Sequence, residues 1–184
     1  MFLHRQFTVN TRVRCSECDE NGANPPHRVM NNGVYRFWST VSQSNGCYLK
    51  RISTSVRCDG TNDTADRQLT LVTALELSTP TNKRFRFVME NPSSSTNEYV
   101  ITGSDEGAEV YLQDVPKGST PPKDEESLFE PQYFYSSTLF RCWNVNGRTD
   151  LYIGSQADGK VIMIKGGSQQ YPNPAVLFRL VDGI

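Results

Sequence analysis

Residues 138–181 limit what this chain can fold into more than any other stretch. They contain TLFRCW, DLYIGS, VIMIKG and AVLFRLV, four short apolar runs bounded by Gly, Pro, Asn or Asp. Leu151 and Ile153, and then Val161 and Met163, sit two apart, the spacing of a pleated strand with one buried face. Between these pairs lies Ala157-Asp158-Gly159-Lys160, where Asp-Gly supplies the positive-φ positions of a tight turn. The segment therefore predicts four short strands, the middle two forming a hairpin.

The same unit recurs upstream. Displaced by 52 residues, Tyr99-Val100-Ile101 falls on Leu151-Tyr152-Ile153, Gly107 on Gly159, and Val110-Tyr111-Leu112 on Ile162-Met163-Ile164. With small shifts, FRFVM (Phe85 to Met89) faces LFRCW (Leu139 to Trp143), and LFEPQYF (Leu128 to Phe134) faces VLFRLV near the C-terminus. The first third fits more loosely. Phe7 to Arg14 takes the first place, Val34 to Val41 and Tyr48 to Ile52 the middle places, and Leu69 to Leu77 the fourth. Arg57 to Arg67 reads as polar loop.

Leu69, Leu71, Leu75 and Leu77 share one parity ahead of Pro80, which favours a strand over a helix despite the helical propensity of TALEL. No apolar pattern at helical spacing exceeds two turns. Three units of four strands cannot each bury a face alone, and closing six strands into a barrel removes exposed edges. The fold predicted is all-β, a β-trefoil of twelve strands with pseudo-threefold symmetry, with residues 1–184 forming one domain.

Composition narrows the function classes. The net charge is -1, which gives no footing for nucleic acid or an anionic membrane as obligate partner. No apolar run approaches the roughly 18 residues of a membrane span. Met1-Phe2-Leu3-His4-Arg5-Gln6 turns polar too early for a signal peptide. The five cysteines, Cys15, Cys18, Cys47, Cys58 and Cys142, are too few for a disulfide scaffold.

Catalytic and cofactor chemistry finds little purchase in the motifs. Cys15-Ser16-Glu17-Cys18 has a metal-like spacing, but Cys47, Cys58, His4 and His27 supply no second ligand pair, so no metal or other cofactor is expected. No Gly-x-Ser-x-Gly elbow is present. Gly166-Gly167 follows a strand and lacks the Lys-Ser/Thr of a phosphate loop. Trp38 and Trp143 do not form the repeated Gln-x-Trp of many sugar-binding trefoils. Lys160, Lys165 and Arg179 are too sparse for a heparin patch. These absences predict a chain that is not an enzyme.

SLFEPQYFYSSTLFRCW, DLYIGSQADGKVIMIKG and AVLFRLV together resemble the C-terminal third of interleukin-1 family cytokines, nearer the interleukin-18 and interleukin-33 branch. The family's successive strand motifs correspond here to Phe140-Arg141-Cys142, Tyr152-Ile153, Val161 to Ile164 and Leu177-Phe178. In place of the family's Pro-Gly before the aromatic-Ile strand stands a longer loop, Asn146 to Asp150. The resemblance covers roughly residues 67 to 181.

It implies a monomeric cytokine, made as a cytoplasmic precursor and secreted without a signal peptide. Such a cytokine binds a receptor with immunoglobulin-like domains and recruits an accessory chain. By the family's analogy one receptor face is Arg12, Arg14 and Glu17. The other is Lys123, Asp124 and Glu125, with Trp143 or Tyr171 as aromatic anchors. A receptor antagonist of the same family is an alternative. So is a trefoil protease inhibitor presenting Asn91-Pro92-Ser93-Ser94-Ser95.

Overall fold

The structure is a computed structural model that describes residues 28–43, 46–77, 83–143 and 147–183. The proposed first strand at Phe7 to Arg14 and the Cys15/Cys18 pair lie outside the described residues. The described chain is all-β. Its twelve strands are β1 (Val34–Ser39), β2 (Cys47–Ile52), β3 (Ser55–Gly60), β4 (Val72–Glu76), β5 (Phe85–Glu90), β6 (Asn97–Thr102), β7 (Tyr111–Pro116), β8 (Phe129–Phe134), β9 (Ser137–Cys142), β10 (Leu151–Ser155), β11 (Val161–Lys165) and β12 (Phe178–Asp182). The α-helix present is one turn, Thr64–Arg67. Among the described residues no helix is long and apolar enough to cross a membrane.

Antiparallel pairings link β1 to β4, β4 to β5, β5 to β8, β8 to β9, β9 to β12 and β12 back to β1. Two of these joints rest on single residue pairs, Phe85 with Phe129 and Phe178 with Thr138, so the ring is not laddered throughout. The other strands form the hairpins β2–β3, β6–β7 and β10–β11. These hairpins touch one another: Ser55 pairs with Tyr111, Arg57 with Lys160 and Glu109 with Ile162.

Aromatic side chains fill the ring. Phe37, Phe87 and Phe140 come from β1, β5 and β9 and are fully buried. Phe37 stacks on Phe140 with centroids 4.5 Å apart, and both meet Phe87 edge-on at 5.3 and 5.0 Å. Each such pair contributes about 0.5–1.5 kcal/mol beyond the area it buries. Phe129 and Phe178 close in from β8 and β12. Leu151, Ile153, Val161 and Met163 are all buried, as their alternation predicts. Gly107 and Gly159 adopt φ of +83° and +85°, the backbone demanded by the tight turns they occupy.

The first third departs from the sequence expectation. Val34–Ser39 is itself the ring strand, and the presumed loop after Arg57 carries most of β3. The β2–β3 turn was hidden because it is Ser53-Thr54, with Ser53 held at φ 55° in place of a glycine or asparagine. The leucine parity before Pro80 is also reversed. Val72 and Ala74 point inward, while Leu75 packs outside against Val88, Val100 and Val115. A small outer apolar cluster thus competes with the core for the leucine face.

Candidate functional site

Two regions of the surface carry organised chemistry. The first is the loop before β8. The main chain turns through a 3₁₀ segment at Glu125–Ser127, pinned by Ser127 Oγ donating to the Asp124 carbonyl at 2.7 Å. Asp124 Oδ1 meets Arg86 Nη2 at 2.5 Å, and Lys123 Nζ meets Glu126 Oε2 at 3.3 Å. The Tyr111 hydroxyl also donates to Glu126 Oε2. Trp143 lies alongside, its N–H donating to the Leu128 carbonyl at 2.8 Å and its ring covered by the Arg84 guanidinium at 3.3 Å.

The structure therefore gathers Lys123, Asp124, Glu125 and Trp143 on one side of the β5–β8 joint. Asp124 is committed to the buried Arg86, and Trp143 is half-buried under Arg84. Lys123 and Glu125 are the exposed members. Arg12, Arg14 and Glu17 lie outside the described residues. The Asn91 loop is braced by its own asparagine, whose buried side chain accepts from the Ser93 N–H at 2.9 Å.

The second region is a pocket of about 430 Å³ at the far end of the β8–β9 hairpin. Gln132, Tyr133 and Phe134 reach it from β8, Leu139 from β9 and Tyr152 from β10. Its remaining wall is the loop after β11, through Gly166, Gly167, Ser168, Gln169 and Pro172. The Tyr152 hydroxyl donates to Gln132 Oε1 at 3.0 Å. This bond engages the amide oxygen and orients the Gln132 side chain.

The loop is fastened at its base. Gly167 bridges Pro172, and the Asn173 N–H donates to the Gly166 carbonyl at 2.7 Å. Asn173 Oδ1 accepts from the Ala175 N–H at 3.0 Å, capping the next 3₁₀ turn. Gly166 has to be glycine because a Cβ there would run into the Tyr152 ring. The wall facing Tyr152 is thus bare backbone, which lets the ring lie against it.

None of the residues lining this pocket is ionisable as an acid or a base at neutral pH. Burial pushes the Tyr152 and Tyr133 hydroxyls above the usual phenol range, so both stay protonated. Tyr133 Oη accepts from the Val29 N–H at 2.9 Å. Behind Tyr152, the charges of Arg141 and Glu130 are spent on each other in an ion pair. The pocket presents aromatic faces and neutral hydrogen-bonding groups, the composition of a small-molecule site. Among the described residues no cluster of His, Cys, Asp and Glu could hold a metal ion.

Sequence reasoning passed over this site. Its members come from β8, β10 and a loop, and no local motif joins them. The available signals were the aromatic run Tyr133-Phe134-Tyr135 and the pair Gly166-Gly167, which the absence of a phosphate-loop lysine had set aside.

No family model matches the sequence, and no curated protein matches it. Solved structures similar in fold include a GH54 α-L-arabinofuranosidase soaked with a cyclic sulfate inhibitor (TM-score 0.61, 16% identity, covering 86% of this chain and 33% of that one). Another is an arabinofuranosidase complexed with arabinofuranosyl-α-1,2-xylobiose (TM-score 0.61, 18% identity, covering 86% of this chain and 32% of that one). At this identity the likeness is one of fold, and the chain spans about a third of the length of those hydrolases.

The likeness corrects the expectation that the chain is not an enzyme, because the structural neighbours are glycoside hydrolases. The physical reason is plain. Glycoside hydrolysis requires two carboxyl groups brought together by the fold, so a missing nucleophile elbow never bore on it.

Proposed function

We propose that the chain is a β-trefoil recognition protein whose pocket between Gln132 and Tyr152 takes a neutral saccharide. The trefoil reading is supported by the six-strand ring, the three mutually touching hairpins and the placement of Phe37, Phe87 and Phe140 on the first strand of each unit. The observation that carries the ligand is the pocket's chemistry. Aromatic rings offer flat apolar faces, Gln132 and Tyr152 offer fixed hydrogen-bonding groups, and no lining residue carries charge. A phosphate, a carboxylate or an ammonium group would be desolvated there with no counter-charge. A polyhydroxylated neutral ring satisfies both kinds of surface. The arabinofuranosidases among the structural neighbours, one of them complexed with an arabinosylated xylobiose, agree with that class.

The test is affinity electrophoresis and calorimetry against soluble neutral polysaccharides, arabinoxylan among them, with Gln132→Ala as the control. Retardation of the native protein that Gln132→Ala loses supports the reading. Equal mobility with and without every polysaccharide contradicts it.

A second reading rests on a different observation, the ordered charged face at Lys123, Glu125 and Trp143. On it the chain is an interleukin-1-like cytokine that engages an immunoglobulin-like receptor and an accessory chain. Charged rims of this kind mainly steer association, with an aromatic anchor supplying affinity. Surface binding to a panel of interleukin-1-family receptor ectodomains tests it, and loss of binding in Lys123→Glu would assign the face.

A further inference from the structure

We infer that Tyr135 is a second stacking platform beside the pocket, and that the ligand is therefore an oligosaccharide whose neighbouring units run out over the β8–β9 turn. This rests on the saccharide reading above. Tyr135 sits at the tip of the hairpin, between Phe134 and Ser137, which pair with each other. It is 83% exposed, the most exposed large hydrophobic side chain among the described residues. Its φ is 51°, in the left-handed region where glycine and asparagine are at ease and a tyrosine is strained.

Strain kept at a solvent-exposed aromatic contributes nothing to packing. Backbone strain of this kind clusters where a side chain has to be presented to a ligand. The ring is not loose: it meets Phe134 edge-on at 4.7 Å and 88°, and Phe134 lines the pocket. Across the pocket, Tyr171 stands 81% exposed on the loop whose residues Ser168 and Pro172 form the far wall. Its N–H is held by Ser168 Oγ at 3.0 Å. A pocket of about 430 Å³ has room for a short saccharide segment. Tyr135, set against Phe134, extends the apolar surface beyond that segment on the side of the β8–β9 turn.

The experiment is to titrate native protein and Tyr135→Asn with xylose, arabinose and arabinosylated xylo-oligosaccharides of increasing length, alongside thermal unfolding of both. Asparagine accepts the left-handed conformation, so Tyr135→Asn is expected to unfold at the same temperature or higher. In the native protein affinity is expected to rise about tenfold from the single sugar to the longer oligosaccharides, the worth of one added aromatic contact. In Tyr135→Asn that rise disappears while single-sugar affinity stays within about twofold. Length-independent affinity in the native protein, or an undiminished rise in Tyr135→Asn, overturns the platform and leaves the pocket standing. Failure of the native protein to bind any saccharide of any length overturns the saccharide reading itself, and the platform with it.

Discussion

The hydroxyl of Tyr152 donates to the amide oxygen of Gln132 at 3.0 Å, joining β10 to β8 across the floor of the pocket. The two strands do not pair directly; β9 lies between them. A single side-chain bond therefore spans three strands and sets the position of both polar groups.

Tyr152→Phe removes that bond and keeps the ring. A net hydrogen bond of this kind contributes about 1 kcal/mol, so the urea midpoint should fall slightly. Saccharide affinity should drop further in relative terms, because Gln132 loses its orientation. Measuring both in Tyr152→Phe, Gln132→Ala and the double variant gives the coupling directly; full additivity would show that the two act independently.

Gly166→Ala places a methyl group against the Tyr152 ring. Overpacking of this sort costs about 1–3 kcal/mol and should displace the ring from the pocket floor. The readouts are calorimetric unfolding and binding to the same polysaccharides, with binding lost more completely than stability.

Phe37→Ala tests the core. Phe37 touches Phe87, Phe140 and Phe178, and its removal should cost about 3–5 kcal/mol in chemical unfolding. A loss under about 1 kcal/mol would mean that the three-ring centre is not the packing nucleus described.

Asp124→Ala should separate structure from recognition on the charged face. Arg86 is nearly buried and would lose the carboxylate partner, though Asp124 is itself partly solvated. The expected cost is about 1–2 kcal/mol, between surface and buried pairs. Lys123→Ala, which removes only a solvent-exposed ion pair to Glu126, should leave the unfolding midpoint nearly unchanged.

Stability should fall in alkali. The contact with Cys47 and then burial push the Cys58 thiol up, while the same contact holds Cys47 down, and burial pushes up Tyr111, Tyr133 and Tyr152. A raised folded-state pKa means that the native state holds its proton longer than the unfolded chain. The contribution is present in full below the unfolded pKa, about 8.5 for a thiol and 10 for a phenol, and is lost as pH rises beyond it. Asp66 has the opposite sign. The Thr61 N–H, with Lys50 beside it, holds its carboxyl below the usual range, so its contribution is lost as pH falls below about 4. Urea midpoints across the pH range, with Cys58→Ala and Asp66→Asn as controls, should show both limbs.

The extent to which this could be read from sequence follows from which forces are local. The turns at Gly107 and Gly159 were legible because positive φ selects glycine at one position. The buried parity of Leu151, Ile153, Val161 and Met163 was legible because one face of each strand meets the core. Ser53 and Tyr135 hold positive φ without a turn residue, so neither the β2–β3 turn nor the β8–β9 turn left a local signal. The leucines before Pro80 misled because β4 has apolar contacts on both faces. The pocket was illegible for a different reason: Gln132, Tyr152 and Gly166 meet only through strand order. Lys123, Asp124, Glu125 and Trp143 do come together, but the ion pair to Arg86 shows that part of this cluster serves the fold.

The central claim is that the pocket between Gln132 and Tyr152 is where ligand binds. Backbone amide NMR during titration with arabinosylated xylo-oligosaccharides tests it most directly. The account predicts saturable shifts confined to residues 132–139, 152 and 166–173. Shifts absent from all of these, or found instead at residues 123–126 and 143, would contradict it.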